Sequence, residues 1–153
     1  MRCLICLYNI PMRTLGIDFG SKRIGIALSD ESGAFALPYG VVENNEHIVR
    51  EIKEVCTLNN VGEIVIGESK DFKGENNVIM QEITPFVENL KQAVAIPVVL
   101  HPEFMTSSQA ERLQGKNDML DASAAAIILS SYLDLKKHTA EKAHTITDYD
   151  NNR

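Results

Sequence analysis

The chain has 153 residues, enough for one domain with a sizeable core. Its composition, 44% hydrophobic and 24% charged without tryptophan, is that of an ordinary soluble globular protein. A net charge of −6 and a pI of about 5.2 exclude a protein that coats nucleic acid by bulk electrostatics. They leave room for one that meets phosphate at a local site where metal ions neutralise part of the acidic charge.

Residues 1–12 read as an N-terminal extension, disordered or not native, because Met12-Arg13-Thr14 makes a natural start to the first strand. The apolar run Cys3–Tyr8 is too short for a membrane span or a secretory segment, so a cytoplasmic protein without membrane attachment is expected. Cys3 and Cys6 form a Cys-x-x-Cys, but no second pair follows and only Cys56 remains. That pattern supports neither a disulfide framework nor a zinc site, and Cys3 and Cys6 read as two small apolar residues.

The run Leu15-Gly16-Ile17-Asp18-Phe19-Gly20-Ser21-Lys22-Arg23-Ile24-Gly25-Ile26-Ala27-Leu28-Ser29-Asp30 reads as two apolar strands joined by a Gly-Ser-Lys turn. Its glycines allow tight turning or close approach of another group. Ala34–Val42 reads as a third strand, which Pro38 assigns to an edge or a strand end. Apolar residues at 48, 49, 52, 55 and 58 predict a helix over Glu46–Leu58.

Glu63–Gly67 reads as a short strand closed by glycine, and residues 68–77 as a polar loop of the kind that meets ligands. A helix is predicted over Val78–Leu90, kinked or split at Pro85. Pro97–Leu100 reads as a buried strand, and Thr106-Ser107-Ser108-Gln109 as a capping box that opens a helix over 107–113. Met119–Lys137 is predicted to be the longest helix, and residues 138–153 a polar, frayed tail. Residues 13–137 would then form one α/β domain, a mixed five-stranded sheet with helices on both faces.

Three acids stand at comparable places: Asp18 at the end of the first strand, Glu103 just past the last, and Asp121 in the first turn of the long helix. If the first and last strands are neighbours, the three converge. Carboxylates that meet repel one another unless a cation joins them. Mg²⁺ suits such a site because it takes oxygen ligands and keeps several waters. Two such ions about 4 Å apart can activate water and stabilise a departing oxygen in phosphodiester hydrolysis. Lys22 and Arg23 place positive charge in the turn, and Lys70 and Lys73 place it in the polar loop.

Gly16-Ile17-Asp18-Phe19-Gly20-Ser21-Lys22-Arg23-Ile24-Gly25-Ile26-Ala27-Leu28-Ser29-Asp30 and Leu120-Asp121-Ala122-Ser123-Ala124-Ala125-Ala126-Ile127-Ile128-Leu129-Ser130-Ser131-Tyr132-Leu133-Asp134 resemble the two ends of the YqgF (RuvX-type) family. That resemblance, from about Thr14 to Asp134, implies a ribonuclease-H-like fold. It also implies a small nuclease, either maturing the 5′ end of pre-16S ribosomal RNA or resolving Holliday junctions. By position, Asp18 matches the family's first catalytic acid, Asp121 its last and Glu103 the glutamate of its Asp-Glu-Arg motif; Thr106 and Glu111 also fit.

The middle of the chain departs from the family. Asp-Glu-Arg becomes Pro102-Glu103-Phe104, and the usual Gly-Leu-Pro-Leu loop becomes Gly67-Glu68-Ser69-Lys70, although Gly74 still fits.

The leading expectation is a nuclease on structured RNA, with pre-16S rRNA or a pre-ribosomal particle as partner. Asp18, Glu103 and Asp121 would hold two Mg²⁺ (or Mn²⁺) ions, and Lys22, Arg23, Lys70 and Lys73 would contact the nucleic-acid backbone, which positions without reading sequence. Resolution of DNA junctions is the alternative, and it requires a homodimer to cut two strands symmetrically. A non-catalytic ribosome-assembly factor is a second alternative, consistent with the altered Pro-Glu-Phe motif and the net acidity. The opening hairpin is also similar to the phosphate-cradling hairpin of the actin and sugar-kinase superfamily, but one short domain lacks the second wall such enzymes need.

Overall fold

Period-two alternation in the apolar runs builds a sheet with two differently populated faces. The structure, a computed structural model, describes residues 12–70, 79–104 and 118–150. β1 (Arg13–Phe19), β2 (Arg23–Ser29) and β3 (Ala36–Glu43) form an antiparallel meander. β4 (Val61–Lys70) and β5 (Val98–Phe104) add on the far side of β1, both parallel to it. The sheet order is β3-β2-β1-β4-β5. The described helices are α1 (Ile48–Leu58), α2 (Ile79–Ala93) and α3 (Asp118–Asp150).

Leu15, Ile17, Ile24, Ile26, Ile64 and Ile66 share one face and pack on Ile48 and Ile52 of α1 and on Ile83 and Leu90 of α2. Each such fully buried aliphatic side chain stabilises the fold by about 1.5–3 kcal/mol relative to exposure. The other face is lined by small residues. There Ala27 meets Ala125, Leu129 and Leu133 of α3. The expected mixed sheet with helices on both faces is the one observed.

Several details differ from expectation. The first and last strands are not neighbours, because β4 lies between β1 and β5. A parallel strand needs a crossover connection; α1 delivers β4 beside β1, and α2 then delivers β5 outside β4. β4 does not stop at Gly67, since its polar end, Glu68-Ser69-Lys70, pairs with Pro102-Glu103-Phe104.

Helix α2 is not split at Pro85. The side chains of Met80, Ile83, Phe86, Val87 and Leu90 are buried along it, which outweighs the roughly 3 kcal/mol an interior proline costs. α3 does not end at Lys137 but continues to Asp150, and residues 138–150 contain no glycine or proline to stop it.

Both prolines in strands lie on the two edges, where a missing N–H removes no central ladder bond. Pro38 pairs with Ala27 beside an irregularity in the β2–β3 register. The readings for residues 1–11, Lys73, Gly74, Thr106, the capping box, the helix over 107–113 and Glu111 lie outside the described residues. Among the described residues no helix is long and apolar enough to cross a membrane.

Candidate active site

Asp18 owes its position to strand alternation. Its neighbours Ile17 and Phe19 turn to the α1/α2 face, where Phe19 packs on Phe86 with ring centroids 5.0 Å apart. Asp18 therefore takes the opposite face, beneath α3, and is half-buried there. Its cross-strand partner is Gly25 of β2, about 4.5–5.5 Å away between Cα atoms.

Gly25 is the point at which α3 reaches the sheet. A Cβ built there would stand 2.0 Å from the Asp121 carbonyl oxygen, so only glycine lets the helix main chain come this close. The same helix crosses Gly16, where a Cβ would stand 2.7 Å from Cβ of Leu129 and 3.0 Å from the Ala125 carbonyl oxygen. Asp121, Ala125, Leu129 and Leu133 follow at four-residue intervals, one stripe of the helix laid on the sheet. Asp121 is the first of that stripe. It replaces an apolar residue with a carboxylate where the helix reaches the strand end, and the helix dipole favours negative charge there.

The sheet thus brings Asp18 and Asp121 to one edge through Gly25. Glu103 reaches the same edge by its backbone: it pairs with Ser69, two residues beyond the Gly67–His101 pair. Among the described residues no group of three or more His, Cys, Asp or Glu is placed to hold a metal.

The two basic residues of the turn differ. Lys22 is exposed. Arg23 is half-buried and its Nη2 lies 3.3 Å from Oδ2 of Asp121, so a guanidinium supplies countercharge to one of the acids. Lys70 ends β4 opposite Phe104.

Two contributors were not evident from the sequence. Asn44, just after β3, ties down the Gly-Ser-Lys turn: its Nδ2 donates to the Gly20 carbonyl at 2.9 Å and its backbone N–H to that of Lys22 at 2.9 Å. An asparagine directly after an apolar strand was the available signal, a residue suited to local backbone bonding.

The second is a polar seam under α3. Tyr132 donates its hydroxyl to Glu63 of β4 at 2.8 Å, and Lys136 donates to the other oxygen of Glu63 at 2.8 Å. Burial and the neighbouring Glu63 push the Tyr132 phenol up to about 12. His101 is 9% exposed and its Nε2 lies 3.0 Å from Oγ of Ser131. Burial lowers its pKa, which favours the neutral ring. His101, a strand-end histidine that the sequence leaves as packing, solvated or able to assist Glu103, thus packs against α3.

A cavity of about 390 Å³ lies elsewhere, lined by Lys53, Cys56, Asn60, Ala93 and Ile96 among others. No carboxylate lines it, and it takes no part in the acidic edge.

Three antiparallel strands continued by two parallel ones, with helices on both faces, define a ribonuclease-H-like fold. The solved structure of RuvC from Thermus thermophilus is similar to this chain at a TM-score of 0.57 and 16% identity, covering 84% of this chain and 98% of that one. The same RuvC in complex with a Holliday junction substrate is similar at a TM-score of 0.53 and 16% identity, covering 82% and 96%.

A family model for RuvX, described as Holliday junction resolvase, matches residues 12–135. A protein of Thermoanaerobacter pseudethanolicus named "Putative pre-16S rRNA nuclease" is 33% identical over 138 residues, covering 83% of this chain and 99% of its own length. A protein of the same name from Maridesulfovibrio salexigens is 36% identical over 134 residues, covering 80% and 98%. The chain belongs to the RuvX family. It is a nuclease of that family, an enzyme of the hydrolase class.

Proposed function

We propose that this nuclease is a divalent-metal-dependent endonuclease that processes the 5′ end of pre-16S rRNA, with Asp18, Glu103 and Asp121 as its metal ligands. The observation that carries the reading is that Asp18 is paired with Gly25 and the Asp121 main chain closes on that same glycine, so the two acids share one neighbour in the fold. The donor set fits Mg²⁺ or Mn²⁺: the groups are carboxylate oxygens, and one of them already draws a cation, the Arg23 guanidinium. Such ions, when bound, supply charge stabilisation at the scissile phosphate and activation of the attacking water.

The chain's own residues do the rest. Asp18 and Asp121 hold the acidic edge at fixed spacing because a strand ladder and a close-packed helix set their main chains. Lys22, exposed in the turn that Asn44 pins, contacts a backbone phosphate, a contact that fixes register without reading sequence. Arg23 moves between Asp121 and the substrate phosphate as the site fills.

The names of the Thermoanaerobacter and Maridesulfovibrio relatives support the RNA substrate. The description of the family model supports a second reading, cleavage of four-way DNA junctions.

The test incubates the protein and its Asp18→Asn variant with end-labelled precursor rRNA and with a four-way DNA junction, in Mg²⁺ or Mn²⁺. Metal-dependent cutting of the RNA that the variant loses is the expected outcome. Preference for the junction would select the second reading. Metal binding without cutting of either substrate would overturn both, leaving a non-catalytic assembly factor.

A further inference from the structure

The third acid is carried by the outermost strand. β5 has a ladder partner, β4, on one side only, and an edge strand held by one ladder is the least constrained part of a sheet. Asp121 stands on α3, which closes on β2 two strands further in than β4. The spacing between Glu103 and Asp121 therefore depends on what ties β5 to α3.

His101 is such a tie. Its ring is buried, shares a 3.0 Å hydrogen bond with Ser131, and meets the Tyr132 ring edge-on with centroids 5.7 Å apart. Tyr132 is itself anchored to β4 through Glu63. The chain of contacts runs from β5 to α3 and back to β4, so the helix is held across the sheet at mid-length as well as at its start.

The local sequence transmits that hold towards the site. Pro102 fixes its own φ near −65° and confines the preceding residue, His101, to extended backbone. Pinning the His101 ring therefore pins the backbone of Glu103 two residues on. Pro102 is tolerated because β5 is an edge, where an absent N–H breaks no central ladder.

We propose that His101 is a positioning residue of this nuclease: through Ser131 it sets the spacing between the strand bearing Glu103 and the helix bearing Asp121, and so the metal affinity of the site. This rests on the proposed metal-dependent reading. His101 touches neither substrate nor ion and acts through Glu103.

The test measures Mn²⁺ binding by titration calorimetry, thermal unfolding without metal, and kcat and KM on the cleaved substrate. The proteins are the wild-type chain, His101→Leu, His101→Gln, Ser131→Ala and the double variant His101→Leu/Ser131→Ala. Groups that orient metal ligands typically account for about tenfold to a hundredfold in metal affinity or activity. A loss of that size in Mn²⁺ affinity and in kcat, with KM unchanged, is expected for His101→Leu and for Ser131→Ala. The double variant should lose no more than either single one, since both break the same tie. His101→Gln, whose amide can still reach Ser131, should recover most of the loss.

Wild-type Mn²⁺ affinity in His101→Leu, with or without a lower melting temperature, would overturn the proposal and leave the metal reading intact. An additive loss in the double variant would also overturn it. A wild-type chain that takes up no Mn²⁺ would instead overturn the metal reading, and the role of His101 with it.

Discussion

Replacing Gly25 by alanine tests how the acidic edge is built. The new Cβ would stand 2.0 Å from the Asp121 carbonyl oxygen and 2.5 Å from its carbonyl carbon. Comfortable contact between such atoms begins near about 3.5 Å, so the start of α3 would have to retreat by roughly 1.5 Å. Both obstructing atoms are backbone, and no flexible side chain can swing aside.

Overpacking of this kind costs about 1–3 kcal/mol. At about 2–4 °C per kcal/mol for a chain of this size, the melting temperature should fall by roughly 2–12 °C. The effect on catalysis should be larger in proportion, because about 1 Å of misplacement can cost a hundredfold in rate. Gly16→Ala is the matched control. Its Cβ would crowd Leu129 and Ala125 of the same helix, at 2.7 and 3.0 Å, one to two turns beyond Asp121.

Calorimetric Mn²⁺ binding, single-turnover cleavage and thermal unfolding of both variants separate stability from site geometry. Gly25→Ala should lose metal affinity and cleavage beyond what its stability loss explains, while Gly16→Ala mainly loses stability. Equal metal affinity and rate in Gly25→Ala and wild type would refute the reasoning. So would a Gly16→Ala variant that fails as completely as Gly25→Ala.

Three further outcomes are expected. Arg23→Gln should tighten Mn²⁺ binding by up to about tenfold at low salt, since a unit charge about 6 Å from a divalent ion opposes it by about 1.4 kcal/mol in water; unchanged affinity would show that Arg23 exerts no field on the ion. Burial pushes the Cys56 thiol up from 9.0 to about 11, and Tyr132 is pushed up from 10.0 to about 12. Both groups stay protonated in the folded state after the unfolded chain has begun to ionise, so their contribution is full below about pH 9 and is lost as pH rises through 9–12. Urea midpoints should therefore fall from about pH 8.5 to 10.5, and Cys56→Val should flatten part of that fall; a flat profile in the wild type would contradict it. Ser29→Ala should cost about 1–3 kcal/mol in urea unfolding, because the buried Ser29 hydroxyl accepts the Thr14 N–H at 2.9 Å and its removal orphans that donor.

Much of the architecture was legible in the chain because local pattern and final environment agree. The alternation around Leu15, Ile17, Ile24 and Ile26 announces strands with one aliphatic face, and that face is the one α1 and α2 cover. Gly16 and Gly25 announce close approach, although not by what; the visitor is the chain's own helix α3. The placement of Asp18 late in β1 and of Asp121 in the first turn of α3 was readable for the same reason, each a carboxylate at the end of an apolar pattern. Pro85 misled because propensity is local, while the buried stripe of α2 is decided by the core. The adjacency of first and last strands failed because sheet order is a non-local matter of where crossovers deliver each strand. The partners of His101 and Asn44 were not legible, since they lie 30 and 24 residues away in the chain.

The contrast between the two faces has a consequence for how this protein can change over time. On the α1/α2 side, large aliphatic side chains interdigitate, and a methyl lost at one position can be regained at its neighbour with little net change in volume. On the α3 side the helix closes on two glycines: its main chain at Asp121 meets Gly25, and at Gly16 it presents the Cβ of Leu129 and the Ala125 carbonyl oxygen, atoms that no ordinary shrinkage of a side chain removes. Sequence drift is thus free on one side of the sheet and nearly frozen along a line two glycines long on the other. Attempts to stabilise the molecule by repacking should begin beneath α1 and α2 and leave that line untouched.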